Sequence, residues 1–131
     1  MISLKLQNKV LNISQELIGV PDARNIHFSF LMMKNRIISV GWNEYHKTHP
    51  QAKRNGYRFD SIHSELSAIY RCKDRNISFK DCFLVNVRLN RFGEIRISMP
   101  CILCQKWLRS IGIREVWFTN TVSCFQEMLL F

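Results

Sequence analysis

Apolar side chains recur along the first twenty positions at Leu4, Leu6, Val10, Leu11, Ile13, Leu17 and Ile18. That spacing follows the helical period, so a helix is expected over 3–20, ended by the turn at Pro21-Asp22. The pattern then changes. His27-Phe-Ser-Phe-Leu-Met-Met33 and Arg36-Ile-Ile-Ser-Val-Gly-Trp42 have strand composition and flank a tight turn at Lys34-Asn35-Arg36. Residues 26–42 therefore predict a β-hairpin. Positions 43–61 lose the apolar period and are rich in His, Lys, Arg and Asn. They predict a long polar loop, and a loop of that length in a small domain is a functional or mobile one. A helix is expected over 62–72 with Ser61 as its cap, and a third strand over Phe83–Leu89. Asn90–Glu94 predicts a turn around Gly93, with Ile95–Ser98 extended beyond it. Pro100-Cys101 opens a further helix that runs to Ser110 and stops at Gly112. Glu115–Thr119 is another strand, and the last eleven residues fit either a short strand or a helical turn. The order α-β-β-α-β-α-β implies an α/β domain, a sheet covered by helices on both faces, spanning 1–131.

Composition narrows the setting. The chain has 131 residues, 47% of them hydrophobic, enough for one domain with its own core. No apolar run approaches the ~20 residues that cross a bilayer. The first residues alternate polar and apolar too early for a signal peptide, so a soluble, cytoplasmic protein with no membrane partner is expected. Five cysteines, at 72, 82, 101, 104 and 124, form an odd set. Disulfides are not expected, and a close pair such as Cys101 and Cys104 suggests metal or catalytic use. Cys82 opens an apolar run and fits a small buried hydrophobe. The net charge of +9 suits an anionic partner, a nucleotide or a single-stranded nucleic acid. Its plainer role is to keep a small protein in solution.

The chemistry concentrates in two segments, His63-Ser-Glu65 and Pro100-Cys-Ile-Leu-Cys104. Each opens a predicted helix. Two cysteines three apart at a helix start can both reach one ion, and the positive helix end favours their thiolates. His63 can supply a third ligand from the other helix. Zinc takes imidazole and thiolate in a tetrahedron, and three protein ligands leave a position for water, the mark of a catalytic site. One Zn2+ per chain is expected, lowering the pKa of that water to ~7. Glu65 lies two residues from His63, poorly placed as a fourth ligand and well placed to exchange a proton with the water. A structural zinc site is the main competitor, but no fourth Cys or His stands beside either half. His-x-Glu followed by Pro-Cys-x-x-Cys is the signature of zinc nucleobase deaminases, which replace a ring amine with oxygen.

With those residues the chain resembles the cytidine/deoxycytidylate deaminase superfamily, over about 26–119. The resemblance covers Ile38-Ser-Val-Gly-Trp-Asn43, His63-Ser-Glu-Leu-Ser-Ala-Ile69, Pro100–Cys104 and Gly112-Ile-Arg-Glu-Val-Trp-Phe118. It implies a three-layer α/β/α sandwich with a mixed central sheet, a homo-oligomer, and Asn43 as a substrate contact; a turn-forming Asn is the plainer role. The hairpin-like insertion before Pro100 departs from the compact nucleotide enzymes. In this the chain resembles a small deaminase-like group of phages, large DNA viruses and bacteria. Gly41-Trp42-Asn43 is also similar to tRNA adenosine deaminases, but the longer loop that follows favours cytosine. His46, His49, Tyr57 and Arg58 in that loop are candidate substrate contacts, the cations for phosphate and Tyr57 for stacking on a base. Arg88, Arg91 and Arg96 add to the positive field. A free cytidine or deoxycytidine nucleotide is the first expectation for the substrate. Cytosine or adenine in single-stranded DNA or RNA is the second. A non-catalytic, zinc-stabilised nucleic-acid-binding module is the third, and the intact Glu65 weighs against it.

Overall fold

The computed structural model describes residues 2–44, 63–74, 76–120 and 125–131. Ser61 and the loop candidates His46, His49, Tyr57 and Arg58 lie outside the described residues, as does Cys124. The elements are α1 (Leu4–Glu16), β1 (Ile26–Met33), β2 (Arg36–Trp42), α2 (Ser64–Tyr70), a 3-10 turn at Phe79–Asp81, β3 (Phe83–Leu89), β4 (Ile95–Arg96), α3 (Ile102–Ser110), β5 (Glu115–Thr119) and β6 (Phe125–Leu129). The sheet order is β2-β1-β3-β5-β6, with β4 paired to β3. β3 and β5 run parallel and the other pairs antiparallel, so the sheet is mixed, as expected.

Helix α1 is capped by Ser3, whose side chain accepts from the Leu6 N–H at 3.1 Å. It ends at Glu16, four residues short of the expected boundary. Gly19 disfavours the helix and Pro21 restricts Val20 before it, so the apolar pattern outruns the hydrogen bonds. The strands alternate cleanly. Phe28, Phe30, Met32, Val85 and Val87 are buried on one face with Leu6 and Val10 of α1. Leu31, Leu84 and Val116 are buried on the other with Leu66, Ala68, Trp107 and Leu108 of α2 and α3. Two cores on opposite faces of one sheet make three layers. Among the described residues no helix is long and apolar enough to cross a membrane.

Two glycines position the second layer. Gly112 has φ +107° and ends α3. Its N–H donates to Arg109 and the Ile113 N–H donates back to Leu108, the paired bonds of a Schellman stop. Gly41 has a different duty. A Cβ there would lie 2.1 Å from the Ala68 nitrogen and 2.5 Å from the Ser64 oxygen. Helix α2 therefore lies directly on the backbone of β2, closer than any side chain permits. Around that contact the Trp42 N–H donates to Ser67 Oγ at 3.2 Å, and Ser39 Oγ donates to the Ala68 carbonyl.

Two sequence expectations change in detail. Helix α2 spans Ser64–Tyr70 with His63 as its cap residue, rather than running over 62–72. Helix α3 is capped by Cys101 and begins at Ile102, which places Pro100 one residue ahead of the cap. The C-terminal segment takes the first of its two expected forms, a strand at Phe125–Leu129, paired among the described residues only with β5.

Candidate metal centre and active site

The first ligand candidate sits at the entry to α2 and the other pair at the entry to α3. His63 is a cap residue whose side chain makes no capping bond, so its ring is directed elsewhere. Cys101 caps α3 through sulfur, accepting from the Cys104 N–H at 3.4 Å. His63 Nδ1 lies 3.4 Å from Cys104 Sγ and 3.6 Å from Cys101 Sγ. Ligand bonds of about 2.3 Å to sulfur and 2.0–2.1 Å to nitrogen, at a tetrahedral angle, set an N···S edge of roughly 3.5–3.6 Å. The observed separations match that edge, and all three ligand atoms lie within 4.8 Å of one another. The described cysteines are all free, so no disulfide competes for the pair.

Electrostatics point the same way. The neighbouring Cys104 thiol, with His63 and the Cys104 backbone N–H, outweighs burial and brings Cys101 down to about 4. Cys101 is a thiolate at neutral pH. Burial disfavours the charged form of His63, but the Cys101 hydrogen bond and the charges of Glu65 and Cys101 outweigh it and raise its pKa. The pocket thus attracts positive charge, and a proton on His63 occupies the role a metal cation would take. His/Cys/Cys donors with an imidazole and two sulfurs suit zinc.

Glu65 is buried in the first turn of α2, and desolvation raises its pKa. Its Oε1 accepts from Ser64 Oγ at 2.9 Å. Ser64 Oγ meets Ser29 Oγ at 2.8 Å, and Ser29 Oγ donates to Asn86 Oδ1 at 2.7 Å. Asn86 Nδ2 donates to the Ser98 carbonyl, which turns Oδ1 toward Ser29. Three contacts in this row each need a proton, and two hydroxyls supply only two. A protonated Glu65 supplies the third; burial favours this neutral carboxyl, while the Glu65 backbone N–H, the His63 charge and the Ser64 hydroxyl favour the charged form. Ser98 and Thr119 extend the polar row, with hydroxyls 2.8 Å apart. Sequence reasoning missed Ser29, Asn86, Ser98 and Thr119. The available signal was a polar residue inside an apolar strand, Phe-Ser-Phe at 28–30 and Val-Asn-Val at 85–87.

Asn43 is buried and structurally engaged. Its Oδ1 accepts from the His27 N–H at 2.9 Å and its Nδ2 donates to the Asn25 carbonyl at 2.7 Å. His27 projects from β1 opposite Arg88 of β3. Burial, then Arg88 and His63, bring its pKa down to about 4, so its ring is neutral. Arg88 and Arg96 are directly opposite in the β3–β4 pair and so share one face. Arg91 lies over the Phe92 ring at 5.1 Å.

Comparison with known proteins agrees with this geometry. The structure resembles cytidine deaminase from Burkholderia pseudomallei, with TM-score 0.64 and 12% identity, covering 94% of this chain and 91% of the other. It also resembles dCMP deaminase from the cyanophage S-TIM5 in complex with dCMP and dUMP. That match has TM-score 0.62 and 15% identity, covering 92% and 85%. At such identities the likeness establishes the fold, a cytidine-deaminase-like α/β architecture. No curated protein sequence matches the chain. The model of the cytidine and deoxycytidylate deaminase zinc-binding region matches residues 6–120. With nearly the whole chain matched and His63, Cys101 and Cys104 gathered at zinc-ligand spacing, this protein belongs to the cytidine and deoxycytidylate deaminase family.

Proposed function

We propose that this chain hydrolyses the exocyclic amine of cytosine in a free cytidine or deoxycytidine nucleotide, yielding uracil and ammonia. The observation that carries the chemistry is the buried Glu65 beside the His63/Cys101/Cys104 cluster, with its carboxyl held by the Ser64–Ser29–Asn86 row. His63 Nδ1 and the two cysteine sulfurs would hold the zinc. When bound, zinc supplies the Lewis acidity that makes hydroxide available from water at about neutral pH. Glu65 takes up the proton that water releases, delivers it to the ring nitrogen, and then carries the other to the departing amine. Ser64 keeps Oε1 fixed during that exchange. Asn43, its amide braced by His27 and Asn25, stands as a substrate contact at the end of β2.

The likeness to a cyanophage dCMP deaminase supports a nucleotide substrate. The positive charge supports an anionic one. A second reading, deamination within single-stranded nucleic acid, draws on Arg24, Arg91 and the 75% exposed Phe92 at the β3–β4 hairpin. A homo-oligomer belongs to the proposal, supported by the exposed apolar Met99, Ile102 and Phe131. The test is steady-state ammonia release from CMP, dCMP, cytidine, deoxycytidine and a cytosine-containing oligonucleotide, each with a Glu65→Ala control. Turnover of nucleotides that disappears in the control is the expected result. Activity unaffected by the substitution would overturn the mechanism, and turnover of the oligonucleotide alone would overturn the substrate.

A further inference from the structure

Arg88 is a cation with no carboxylate partner among the described residues. It forms no ion pair among the described residues, whereas its cross-strand neighbour Arg96 lies 3.8 Å from Glu94. Two like charges directly opposite on paired strands destabilise a sheet. The Arg88 guanidinium reaches Asn25 Oδ1 through Nη2 at 2.9 Å and the Ile97 carbonyl through Nη1 at 3.4 Å. Its Nε is buried and donates to nothing. Nη1 and Nη2 each keep a second N–H beyond these bonds, and those donors can receive an anion.

Its position says which anion. Alternation along β3 puts Arg88 on the face of Asn86, the face that carries the Ser29–Ser64–Glu65 row. It stands one step of that alternation beyond Asn86, or ~7 Å along the strand. His27, its partner in register, is close enough to His63 for the two rings to influence each other electrostatically. Asn25 joins it to Asn43, since the Asn25 carbonyl accepts from the Asn43 amide while the Asn25 side chain accepts from Arg88. Arg88, Asn25, Asn43 and His27 thus form one cluster beside the metal centre, neutral apart from a single cation.

We propose that Arg88 is the phosphate-recognition residue of the active site, binding the phosphomonoester of the substrate through the remaining N–H groups of Nη1 and Nη2 while Asn25 and the Ile97 carbonyl hold it in place. The proposal rests on the free-nucleotide reading of the site. Arg88 is a binding residue and takes no part in proton transfer. The insertion before Pro100 gains a purpose by this: its Ile97 carbonyl accepts from Arg88 Nη1 and helps to hold the guanidinium in place.

The experiment compares dCMP with deoxycytidine as substrates of the zinc-loaded enzyme and its Arg88→Met and Arg88→Lys variants. KM and kcat are read separately, and inorganic phosphate serves as a competitive inhibitor. The expected result is a 10- to 100-fold rise in KM for dCMP in Arg88→Met, a matching fall in the dCMP-to-deoxycytidine ratio of kcat/KM, and weaker inhibition by phosphate. Arg88→Lys, which keeps the charge and loses the fork, recovers part of that ratio. Equal losses on both substrates, or an unchanged ratio, would show that Arg88 only braces the hairpin and would overturn the proposal. If the parent enzyme does not turn over dCMP, the free-nucleotide reading itself has failed, and the assay on the unmodified protein shows this before any variant is made. Should Arg88→Met prove insoluble, the ratio for Arg88→Lys and the phosphate inhibition constant still decide the matter.

Discussion

Gly41→Ala tests the placement of the active-site helix with one added methyl group. The new carbon would lie 2.1 Å from the Ala68 nitrogen, 2.5 Å from the Ser64 oxygen and 2.6 Å from the Ala68 Cα. All three are backbone atoms, so no side chain can swing aside. Helix α2 must move off β2 by on the order of 1 Å to regain an ordinary contact distance, at the overpacking cost of about 1–3 kcal/mol or more. The displacement also disturbs the Trp42 N–H to Ser67 and Ser39 to Ala68 bonds, each worth about 1 kcal/mol. We expect a loss of at least about 3 kcal/mol in urea unfolding of the metal-loaded protein. Activity should suffer more. Ser64 is one of the clashing residues, His63 precedes it and Glu65 follows it, so ligand and proton carrier move together. A misplacement of about 1 Å costs on the order of 100-fold in rate. Zinc content by elemental analysis and kcat/KM on the best substrate are the readouts. A Gly41→Ala protein with parental unfolding midpoint, zinc content and kcat/KM would refute the close-approach argument.

Three further outcomes follow from the site. Glu65→Gln should retain zinc while activity falls by about 100- to 10,000-fold, the usual worth of a general acid–base group. In the metal-free state at neutral pH the same variant should unfold at higher urea than the parent. The sign follows from the raised Glu65 pKa: its contribution to stability is fully present below the ordinary range of a glutamate carboxyl and is lost as pH rises through the folded value. The difference between the two proteins should therefore vanish near pH 4; a gap that persists there would contradict the assignment. Cys104→Ser, at a fully buried position in the ligand set, should bind less than a tenth of the zinc held by the parent, checked by dialysis against a chelator. Ser29→Ala removes the middle of the hydroxyl row and leaves Asn86 Oδ1 without its donor, a cost of about 1–3 kcal/mol in thermal unfolding. A neutral outcome would mean that the row does not support Glu65.

The sequence disclosed the metal site and hid its support, for a physical reason. Zinc chemistry demands particular residue types at short spacing, and those demands show in His63-x-Glu65 and Cys101-x-x-Cys104 without knowledge of the fold. The strands of the first hairpin were legible because both faces of β1 are covered, so its apolar run is continuous from Phe28 to Met32 apart from Ser29. Strand β6 was not legible. It pairs on one side only and buries little, so its pattern of Phe125-Gln-Glu-Met-Leu129 carries no clear alternation. Helix boundaries slipped where one residue serves two purposes. His63 and Cys101 are the caps of α2 and α3 and also ligand candidates, and periodicity alone places a cap inside the helix it begins.

Glu65, Ser64, Ser29 and Asn86 show why the remaining part could not be read along the chain. They come from α2, β1 and β3, and only the sheet register brings Ser29 opposite Asn86. Each is an ordinary polar residue by itself. Together they form a row short by one proton when Glu65 is ionised and complete when it is neutral. That balance bears directly on catalysis. A proton carrier must hold its proton firmly enough to take it up and loosely enough to give it away. Burial of Glu65 favours the uptake, while the charge of a bound metal opposes it. The hydroxyl row lets Ser64 donate to the carboxylate and accept from the acid, changing direction as the proton comes and goes. Ser29 and Asn86 therefore stand behind Ser64 in both protonation states, which accounts for two buried polar side chains facing each other on β1 and β3.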